Sequence, residues 1–281
     1  MTLEQLRIFA AVAERQHITR AAAALNLTQA AVSVSIAALE TQHDVKLFDR
    51  VGRNIALTET GRLFLEEARG VLARAAAAET ALRDYAGLRH GQLAVHASQT
   101  IASYYLPRLI TAFKAQHPGF TINLAIGNTA QVARAVTLGT AELGFVEGPL
   151  DDPGLLVEPV AAERMAIVTP PGHDWARGGE LTNADLRRAA WVFREEGSGT
   201  REAFLAHLAE RGIALEALNI ALTLPSNEAV REAVAEGAGV ACLSPLVCAR
   251  ALSAGALRRA NLLLPPRPFQ AVRPKQRSVT K

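Results

Sequence analysis

The sequence predicts an all-α N-terminal region that ends in one long helix, followed by a larger α/β region. Apolar residues recur at helical spacing from residue 3 to about residue 88, with one interruption near residues 46–58. After Gly87–Gly91, short apolar runs alternate with amphipathic helices, which is the pattern of α/β units. The 281 residues are 49% hydrophobic and 20% charged, enough for two or three compact domains.

The composition excludes several classes of protein. Cys242 and Cys248 are too few for a disulfide framework and lack the partners of a zinc site, so we expect small buried hydrophobic residues. Acidic residues interrupt the apolar N-terminus, and no run of about 18 apolar residues exists. We therefore expect no signal peptide, no membrane partner and a cytoplasmic location. The net charge of +3 alone is too small to indicate nucleic acid.

Three helices are predicted before residue 44. The first runs from residue 3 to about residue 16, and the second is capped by Thr19 and ends near Leu25. The third runs from Gln29 to about Thr41, with Thr28 as its N-cap. Its inner face holds Val32, Ile36 and Leu39, and its outer face holds Gln29, Ala30, Ser33, Val34 and Ala37.

The second and third helices are joined by a short turn, as in a helix-turn-helix. Gln29 and Ser33 lie near the leading end of the third helix, beside Thr28. Short polar side chains there are able to hydrogen-bond to base edges in the major groove, and Gln29 suits adenine. The spacing alone leaves open an ordinary helical bundle with solvated polar residues.

Residues 46–58 read as a strand, a glycine-containing turn and a second strand, which is the pattern of a wing. Lys46, Arg50 and Arg53 cluster there. Cations at this place would contact phosphate groups and so position the third helix without reading sequence. The predicted partner is double-stranded operator DNA.

A long helix capped by Thr58 is predicted from Glu59 to about Leu88. Its apolar residues alternate spacings of four and three, which favours a coiled-coil seam between two copies of the chain. The alternative is that this seam packs on the C-terminal region of the same chain. The seam residues are Phe64, Ala68, Val71, Ala75, Ala78, Leu82 and Tyr85.

Together these stretches resemble the LysR-type transcriptional regulators. The matching sequences are LRIFAAVAE, ITRAAAALNLTQAAVSVSIAALE, KLFDR and IALTETGR, followed by the long helix. The resemblance implies a winged helix-turn-helix in residues 1–58, a linker and dimerisation helix in residues 59–90, and an effector-binding domain in residues 91–281. It also implies a homodimer or homotetramer that works with RNA polymerase. Many relatives carry basic residues in the middle of the third helix, where this chain has Val34, Ala37 and Ala38.

Residues 91–281 show two sets of α/β units. Strands are predicted near Leu93–Val95, Thr121–Ile126, Leu143–Glu147, Met165–Val168, Trp191–Arg194, Ile220–Leu224 and Val240–Leu243. Helices are predicted near Ile101–Gln116, Thr129–Leu138, Thr200–Arg211, Asn227–Glu236 and Leu246–Leu252. The resemblance implies a two-lobed, periplasmic-binding-protein-like fold. Lobe I would comprise about 91–161 and 268–281, and lobe II about 162–267.

Three segments follow a predicted strand and open a helix. In open α/β sheets ligands gather at the carboxyl ends of strands, and free backbone N–H groups at helix starts favour an anion. Ser226 and Asn227, which open another helix, are further candidates to line the same cleft. The alternative is that the serine and asparagine side chains only cap their helices. The three segments are Ser98-Gln99-Thr100, Asn128-Thr129 and Gly197-Ser198-Gly199-Thr200-Arg201.

Arg201 is predicted to grip an oxyanion in this cleft through its two-pronged guanidinium. REEGSGTR, with the GNT and VEGP stretches, is most similar to the LysR-type branch that includes regulators of sulfur assimilation and of carbon dioxide fixation. That resemblance implies a small anionic or zwitterionic effector and no cofactor. A sulfur oxyanion, a phosphorylated metabolite and an acetylated amino acid remain open.

Two other functions fit parts of the sequence less well. An enzyme is disfavoured because the sequence shows no nucleophile–base pair, metal-ligand spacing or nucleotide loop, and Ser198 lies outside a G-x-S-x-G motif. A transport solute-binding protein would suit the C-terminal region but not a helix-turn-helix attached to it. The sequence therefore favours an effector-responsive DNA-binding regulator.

Overall fold

The computed structural model describes residues 1–51, 54–85 and 91–275. The chain divides into two compact units. Most of the first unit is formed by residues 1–89, and the second is formed by residues 90–137 and 141–281. Each unit has its own hydrophobic core.

The N-terminal unit contains three short helices, a β-hairpin and one long helix. The helices are α1 (Leu3–Arg15), α2 (Ile18–Leu25), α3 (Gln29–His43) and α4 (Glu59–Tyr85), and the hairpin strands are β1 (Phe48–Val51) and β2 (Asn54–Leu57). The strands pair antiparallel. This arrangement confirms the predicted winged helix-turn-helix followed by a linker helix.

Helix starts in this unit are set by capping side chains. Thr28 Oγ1 accepts a hydrogen bond from the backbone N–H of Ala31 at 3.1 Å, which confirms it as the cap of α3. The cap of α2 was wrongly predicted. His17 and not Thr19 occupies that position, and its Nδ1 accepts from the N–H of Arg20 at 3.4 Å. A ring nitrogen of His17 takes the capping role expected of the Thr19 hydroxyl, so the helix begins two residues earlier than predicted.

The core of the N-terminal unit forms between α1 and the helices that surround it. Phe9 is fully buried, with its ring centroid 5.4 Å from that of Phe48 and 4.9 Å from that of Phe64. The predicted inner face of α3 is confirmed, because Val32, Ile36 and Leu39 are all buried. Burial of this face leaves the opposite side of α3 in solvent.

The predicted seam of α4 is wrong at its first two positions. Phe64 and Ala68 pack into the core of the N-terminal unit, because α1 lies against the first turns of α4. Further along, Val71 is 45% exposed and Ala78 is also exposed. The side chains of Leu82 and Tyr85, and the predicted helix end near Leu88, lie outside the described part of the chain.

Lobe I is built on a five-stranded sheet with the order β4-β3-β5-β12-β6. The first three strands are parallel, and β12 is antiparallel to both β5 and β6. A π-helical turn, Ile101–Tyr105, leads from β3 into α5. The elements are β3 (Gln92–Ser98), α5 (Leu106–Gln116), β4 (Thr121–Gly127), α6 (Thr129–Leu138), β5 (Leu143–Glu147), β6 (Leu155–Arg164) and β12 (Pro266–Pro274).

Lobe II contains two small sheets that meet at a bridge between Trp191 and Val240. The chain enters this lobe after β6 and leaves it at β12. In sequence order its elements are β7 (Ala166–Thr169), α7 (Asn183–Arg188), β8 (Ala190–Arg194), α8 (Gly199–Glu210), β9 (Asn219–Leu224), α9 (Asn227–Ala235), β10 (Ala241–Leu243), α10 (Pro245–Ser253) and β11 (Arg258–Arg259). Short 3-10 helices occupy Asp174–Arg177 and Leu215–Ala217.

The two-lobed α/β fold is confirmed, although three of its strands, β6, β11 and β12, were not predicted. β6 and β12 carry charged and proline residues that weaken the period-2 apolar signal. They pair along their whole lengths and join the two lobes. Among the described residues, no single helix is long and apolar enough to span a membrane, although α2 and α3, bent by 108°, pass that test as a pair.

Candidate functional site

The exposed end of α3 carries the predicted DNA-reading residues. Thr28 and Gln29 are exposed, and Ser33 is half-buried on the same side of the helix. Gln29 Oε1 accepts a hydrogen bond from the hydroxyl of Thr19 on α2 at 3.3 Å. The side chain of Gln29 is thus oriented by the neighbouring helix.

The hairpin presents cations beside this helix. Lys46 and Arg50 are exposed, whereas Arg53 lies outside the described residues. A carboxylate of α3 holds the base of the hairpin, since Glu40 Oε1 accepts the backbone N–H groups of Leu47 at 2.7 Å and Phe48 at 3.2 Å. The sequence reasoning missed this role of Glu40, which fixes the hairpin relative to the recognition helix.

In lobe I the polar residues at the strand ends surround a buried carboxylate. Ser98, Thr129 and Glu147 are each at least 95% buried. The hydroxyl of Ser98 donates to Glu147 Oε2, and that of Thr129 donates to the backbone oxygen of Glu147 at 2.9 Å. The carboxyl ends of β3, β4 and β5 therefore meet at one place, as expected for neighbouring parallel strands.

Helix α8 approaches this place from lobe II. A Cβ at Gly199 would overlap the backbone oxygen of Glu147, and a Cβ at Gly148 would lie 2.7 Å from the backbone oxygen of Gly199. Gly148 also adopts a φ of 89°, which favours glycine. Two glycines thus allow the start of α8 to touch the end of β5.

Asn227 on α9 connects lobe II to the first segment of lobe I. Its backbone N–H donates to Gln99 Oε1 at 2.8 Å, and its Nδ2 donates to Thr100 Oγ1 at 3.0 Å. The neighbouring Glu228 accepts from Gln99 Nε2 at 2.6 Å and from the hydroxyl of Tyr104 at 2.9 Å. Burial and the nearby Glu228 carboxylate raise the pKa of Tyr104, so its hydroxyl remains a donor.

A buried guanidinium extends this network. Arg194, at the end of β8, donates from Nη1 to Asn227 Oδ1 at 2.6 Å and from Nε to Glu195 Oε2 at 2.8 Å. Asn128 of lobe I donates to Glu195 Oε1 at 3.3 Å. We name the set that joins the lobes the interlobe network, which comprises Gln99, Thr100, Tyr104, Asn128, Arg194, Glu195, Asn227 and Glu228.

Not every predicted residue contributes its side chain to this network. Arg201 donates to the backbone oxygen of Arg194 at 3.2 Å and stacks 5.7 Å from the centre of the Phe193 ring. Those contacts differ from the predicted grip of Arg201 on an oxyanion. The guanidinium that takes part in the interlobe network belongs to Arg194, on the preceding strand. Ser198 is buried at the start of α8, and Ser226 caps α9 by accepting from Ala229 at 3.0 Å.

Thr200 connects the start of α8 to the strands that join the lobes. Its hydroxyl accepts from Arg267 Nη1 at 3.2 Å. Arg267 on β12 also donates to Glu163 Oε1 on β6 at 2.5 and 2.9 Å. Ser244 donates to the other oxygen of Glu163 at 2.6 Å. Sequence reasoning missed Arg194, Glu228, Arg267 and Glu163. The side-chain bonds that place them here are Arg194–Asn227, Glu228–Gln99 and Arg267–Glu163, and they span 33, 129 and 104 residues of the chain.

The site combines hydrogen-bond donors with carboxylates. Among the described residues around the ends of β3, β4, β5 and β8, the acidic side chains include Glu147, Glu195, Glu196 and Glu228, and the basic ones include Arg194 and Arg201. This composition suits a molecule that carries both an anionic group and hydrogen-bond donors. Within the described parts of the chain, no cluster of three His, Cys, Asp or Glu residues is arranged to hold a metal ion.

Comparison with known proteins matches each of the two units to a protein family. Residues 3–62 match the bacterial regulatory helix-turn-helix protein family of the lysR type, and residues 86–281 match the LysR substrate binding domain. The chain belongs to the LysR family of transcriptional regulators. The family predicted from the sequence is thereby confirmed, together with its helix-turn-helix and substrate-binding domains.

Curated relatives fall in the expected branch of the LysR family. The regulator YeiE of Escherichia coli strain K12 is 36% identical, over 94% of this chain and 88% of the relative. CysL of Bacillus subtilis strain 168 is 33% identical over 87% and 81% of the two chains. A probable RuBisCO transcriptional regulator of Cyanidioschyzon merolae is 33% identical over 93% and 87%.

Solved structures support the LysR fold. CbnR, a LysR family regulator, matches with a TM-score of 0.72 and 23% identity, over 99% of this chain and 94% of that one. Full-length CbnR in complex with its target DNA matches with a TM-score of 0.70 and 24% identity, over 99% and 95%. At this level of identity the likeness establishes the fold.

Proposed function

We propose that this LysR-type regulator reads operator DNA through α3 and the hairpin, and that a small anionic or zwitterionic effector bound between its lobes modulates DNA binding or transcriptional output. The interlobe network is the observation that carries the effector half of this proposal. Hydrogen bonds between the lobes join polar side chains that a ligand's own groups are able to replace. The proposed protein is a cytoplasmic homodimer or homotetramer that acts with RNA polymerase and has no catalytic role.

The DNA half of the proposal rests on exposure and local order. Thr28, Gln29 and Ser33 stand on the solvent side of α3, where a major groove would contact them. Lys46 and Arg50 are exposed on or beside the hairpin, and Arg53 completes the proposed set of phosphate contacts. The base contacts would give sequence preference, and the cations would give salt-dependent affinity.

The effector half rests on the chemistry at the strand ends. We assign effector contacts to Ser98, Gln99, Thr100, Asn128, Thr129, Ser198, Thr200, Ser226 and Asn227. The hydroxyls, amides and helix starts among them suit an anionic group, and Glu147 and Glu228 would accept donors from a zwitterion. We also assign Arg201 to the effector site because it lies in the first turn of α8, although its side chain contacts Arg194 and Phe193.

The interlobe network also supplies a way for an effector to act. Gln99, Thr100, Tyr104 and Asn128 each bond to lobe II in this structure, and these bonds would break if the lobes moved apart. A ligand that replaces some of these bonds changes the relative stability of the open and closed forms. Such a ligand regulates the protein only if it binds one form more tightly than the other.

A ligand screen with purified full-length protein tests the effector half. The probes are sulfate, sulfite, inorganic phosphate, phosphoglycolate and O-acetylserine, and the measurement is the shift in Tm by differential scanning fluorimetry. We expect one probe class to raise Tm by an amount that grows with its concentration. Asn227→Ala should abolish that shift, because Asn227 contacts both lobe I segments and Arg194.

The matched control is Asn219→Ala, at the exposed start of β9 and outside the interlobe network. It should retain the full shift. A shift that survives Asn227→Ala would place the ligand elsewhere and contradict the assignment of the cleft. Operator binding by fluorescence anisotropy, with and without the active probe, then checks that the bound ligand alters DNA affinity.

A further inference from the structure

A cavity of 250 Å³ lies on the side of the second unit where β12 returns from lobe II. Its walls come from the end of β5, Met165 just before β7, residues 203–210 of α8 and the segment Leu264–Pro268. Gln270, further along β12, also lines it. The interlobe network does not include the residues of these walls. The cavity is somewhat smaller than the roughly 300–1,000 Å³ of pockets for drug-sized ligands, so it suits a small molecule.

Three buried polar atoms beside this cavity have no hydrogen-bond partner among the described residues. They are Nδ1 and Nε2 of His207 and Oε1 of Gln270. The Nδ1 atom of His207 lies 3.9 Å from Glu210 Oε2, beyond hydrogen-bond range. Buried polar groups are almost always paired with protein or with water, so these two side chains leave hydrogen-bonding positions open to water or to a ligand.

The walls of the cavity contain few hydrogen-bond donors. Pro149, Pro265, Pro266 and Pro268 line it, and proline has no backbone N–H. Gln270 Oε1 is an acceptor. Burial and the nearby Arg211 lower the pKa of His207, so its neutral ring offers one acceptor and one donor. A complementary ligand must therefore bring N–H or O–H donors.

The charges around the cavity are balanced. Arg267 lines the cavity but is paired with Glu163, and the charges of Arg211 and Glu210 act in opposite directions on the pKa of His207. A ligand with a net charge would gain little from these groups. The remaining lining is apolar and includes Met165, Ala203 and Leu264, which suits a hydrocarbon body.

We propose that this cavity is a second small-molecule site, which binds an uncharged ligand with a carboxamide-like donor group on a compact apolar body. The donor group would reach Gln270 Oε1 and His207, and the apolar body would rest against Met165 and Leu264. Arg267 connects the two sites, because it lines the cavity and donates to Thr200 at the start of α8. A ligand here would bias the angle between the lobes without entering the cleft.

The chain allows a direct test, because it contains only two methionines, Met1 and Met165. Full-length protein labelled with ¹³C at the methionine methyl groups gives one reporter in the cavity and one in the N-terminal unit. The probe is cyclohexanecarboxamide. We expect a saturable shift of the Met165 signal and no shift of the Met1 signal. N,N-dimethylcyclohexanecarboxamide, which lacks N–H donors, should bind about tenfold more weakly.

Substitutions on α8 test whether the carboxamide binds in this cavity or elsewhere on the protein. Ala206→Leu fills the cavity and should abolish the Met165 shift, whereas Ala209→Leu, exposed on the same helix but away from the cavity, should preserve it. His207→Phe keeps a ring of similar size and should weaken carboxamide binding several-fold. A Met165 shift that persists in Ala206→Leu, or one matched by Met1, would overturn the proposal. The cleft variant Asn227→Ala should leave carboxamide binding in the cavity intact. Each of the two proposals can therefore be contradicted without contradicting the other.

Discussion

At the scale of single residues, the proposed DNA contacts of the N-terminal unit fall into two kinds, base-reading side chains on α3 and phosphate-binding cations at the hairpin. Gln29 is exposed at the start of α3 and is oriented by Thr19. Arg50 is exposed on the hairpin strand β1. An amide that pairs with a base edge contributes to sequence preference, whereas a cation on phosphate contributes to affinity for any sequence.

Gln29→Ala is therefore expected to relax preference at one operator position. The expected loss is about 1–3 kcal/mol for the preferred base, with little change at the other positions. Competition binding with a panel of operators, each substituted at a single base pair, measures this effect.

Arg50→Ala should weaken all operators alike and reduce the slope of log K against log salt by about 1. Affinity measured at several salt concentrations checks this expectation. If the two variants behave alike in both assays, the assignment of α3 as the recognition helix is wrong.

The strand-end residues of the candidate cleft were predictable, and their long-range partners were not. Ser98, Asn128 and Ser226 follow from strand and helix patterns that are local in sequence. Arg194 gave no such signal, because its acceptor Asn227 lies 33 residues away. The neighbouring Arg201 was the more visible candidate, being in a glycine-rich segment, but its side chain packs on Phe193.

At the scale of elements, the contact between the end of β5 and the start of α8 depends on Gly199. Gly199→Ala is expected to destabilise the second unit by about 1–3 kcal/mol, because the added methyl group overlaps the backbone oxygen of Glu147. Chemical denaturation monitored by tryptophan fluorescence measures the change. Gly172→Ala has open space around its Cβ and should be nearly neutral. Equal stability of the two variants would contradict the close approach.

The ion pair between β6 and β12 gives a second prediction for the elements that join the lobes. Glu163 and Arg267 are 9% and 4% exposed, so Glu163→Gln leaves a buried guanidinium without its countercharge. We expect a loss of about 3–5 kcal/mol in the free energy of unfolding. Glu158→Gln breaks the exposed pair with Arg273 and should cost only about 0–1 kcal/mol. Comparable losses in the two variants would contradict the importance of burial.

Most elements could be predicted from apolar periodicity, and the failures have physical causes. β6 and β12 lack a clean apolar alternation in sequence because proline and charged residues occur along both strands, and β12 places Arg267 at a buried position. The first part of the α4 seam was misread because heptad spacing does not distinguish a partner chain from a neighbouring helix. Phe64 and Ala68 satisfy the pattern, yet they pack into the core beside α1, where Ala68 is buried and Phe64 is partly buried.

At the scale of the whole molecule, the exposed apolar positions of α4 support self-association. Val71→Glu places a charge on the remaining seam and should shift the protein towards smaller species in sedimentation velocity. Its fold should be retained, because Val71 is already 45% exposed. Glu67→Ala, also exposed on α4, serves as the control and should leave the sedimentation profile unchanged. An unchanged profile for Val71→Glu would place the interface elsewhere.

The hydrogen bond between Thr19 and Gln29 has a consequence for the thermodynamics of operator binding. Ordering a flexible side chain at an interface costs about 0.5–1.5 kcal/mol in conformational entropy. The bond from Thr19 restricts the rotamers of Gln29 in the free protein. Part of that entropy is therefore lost when the chain folds, and less remains to be lost when Gln29 meets a base.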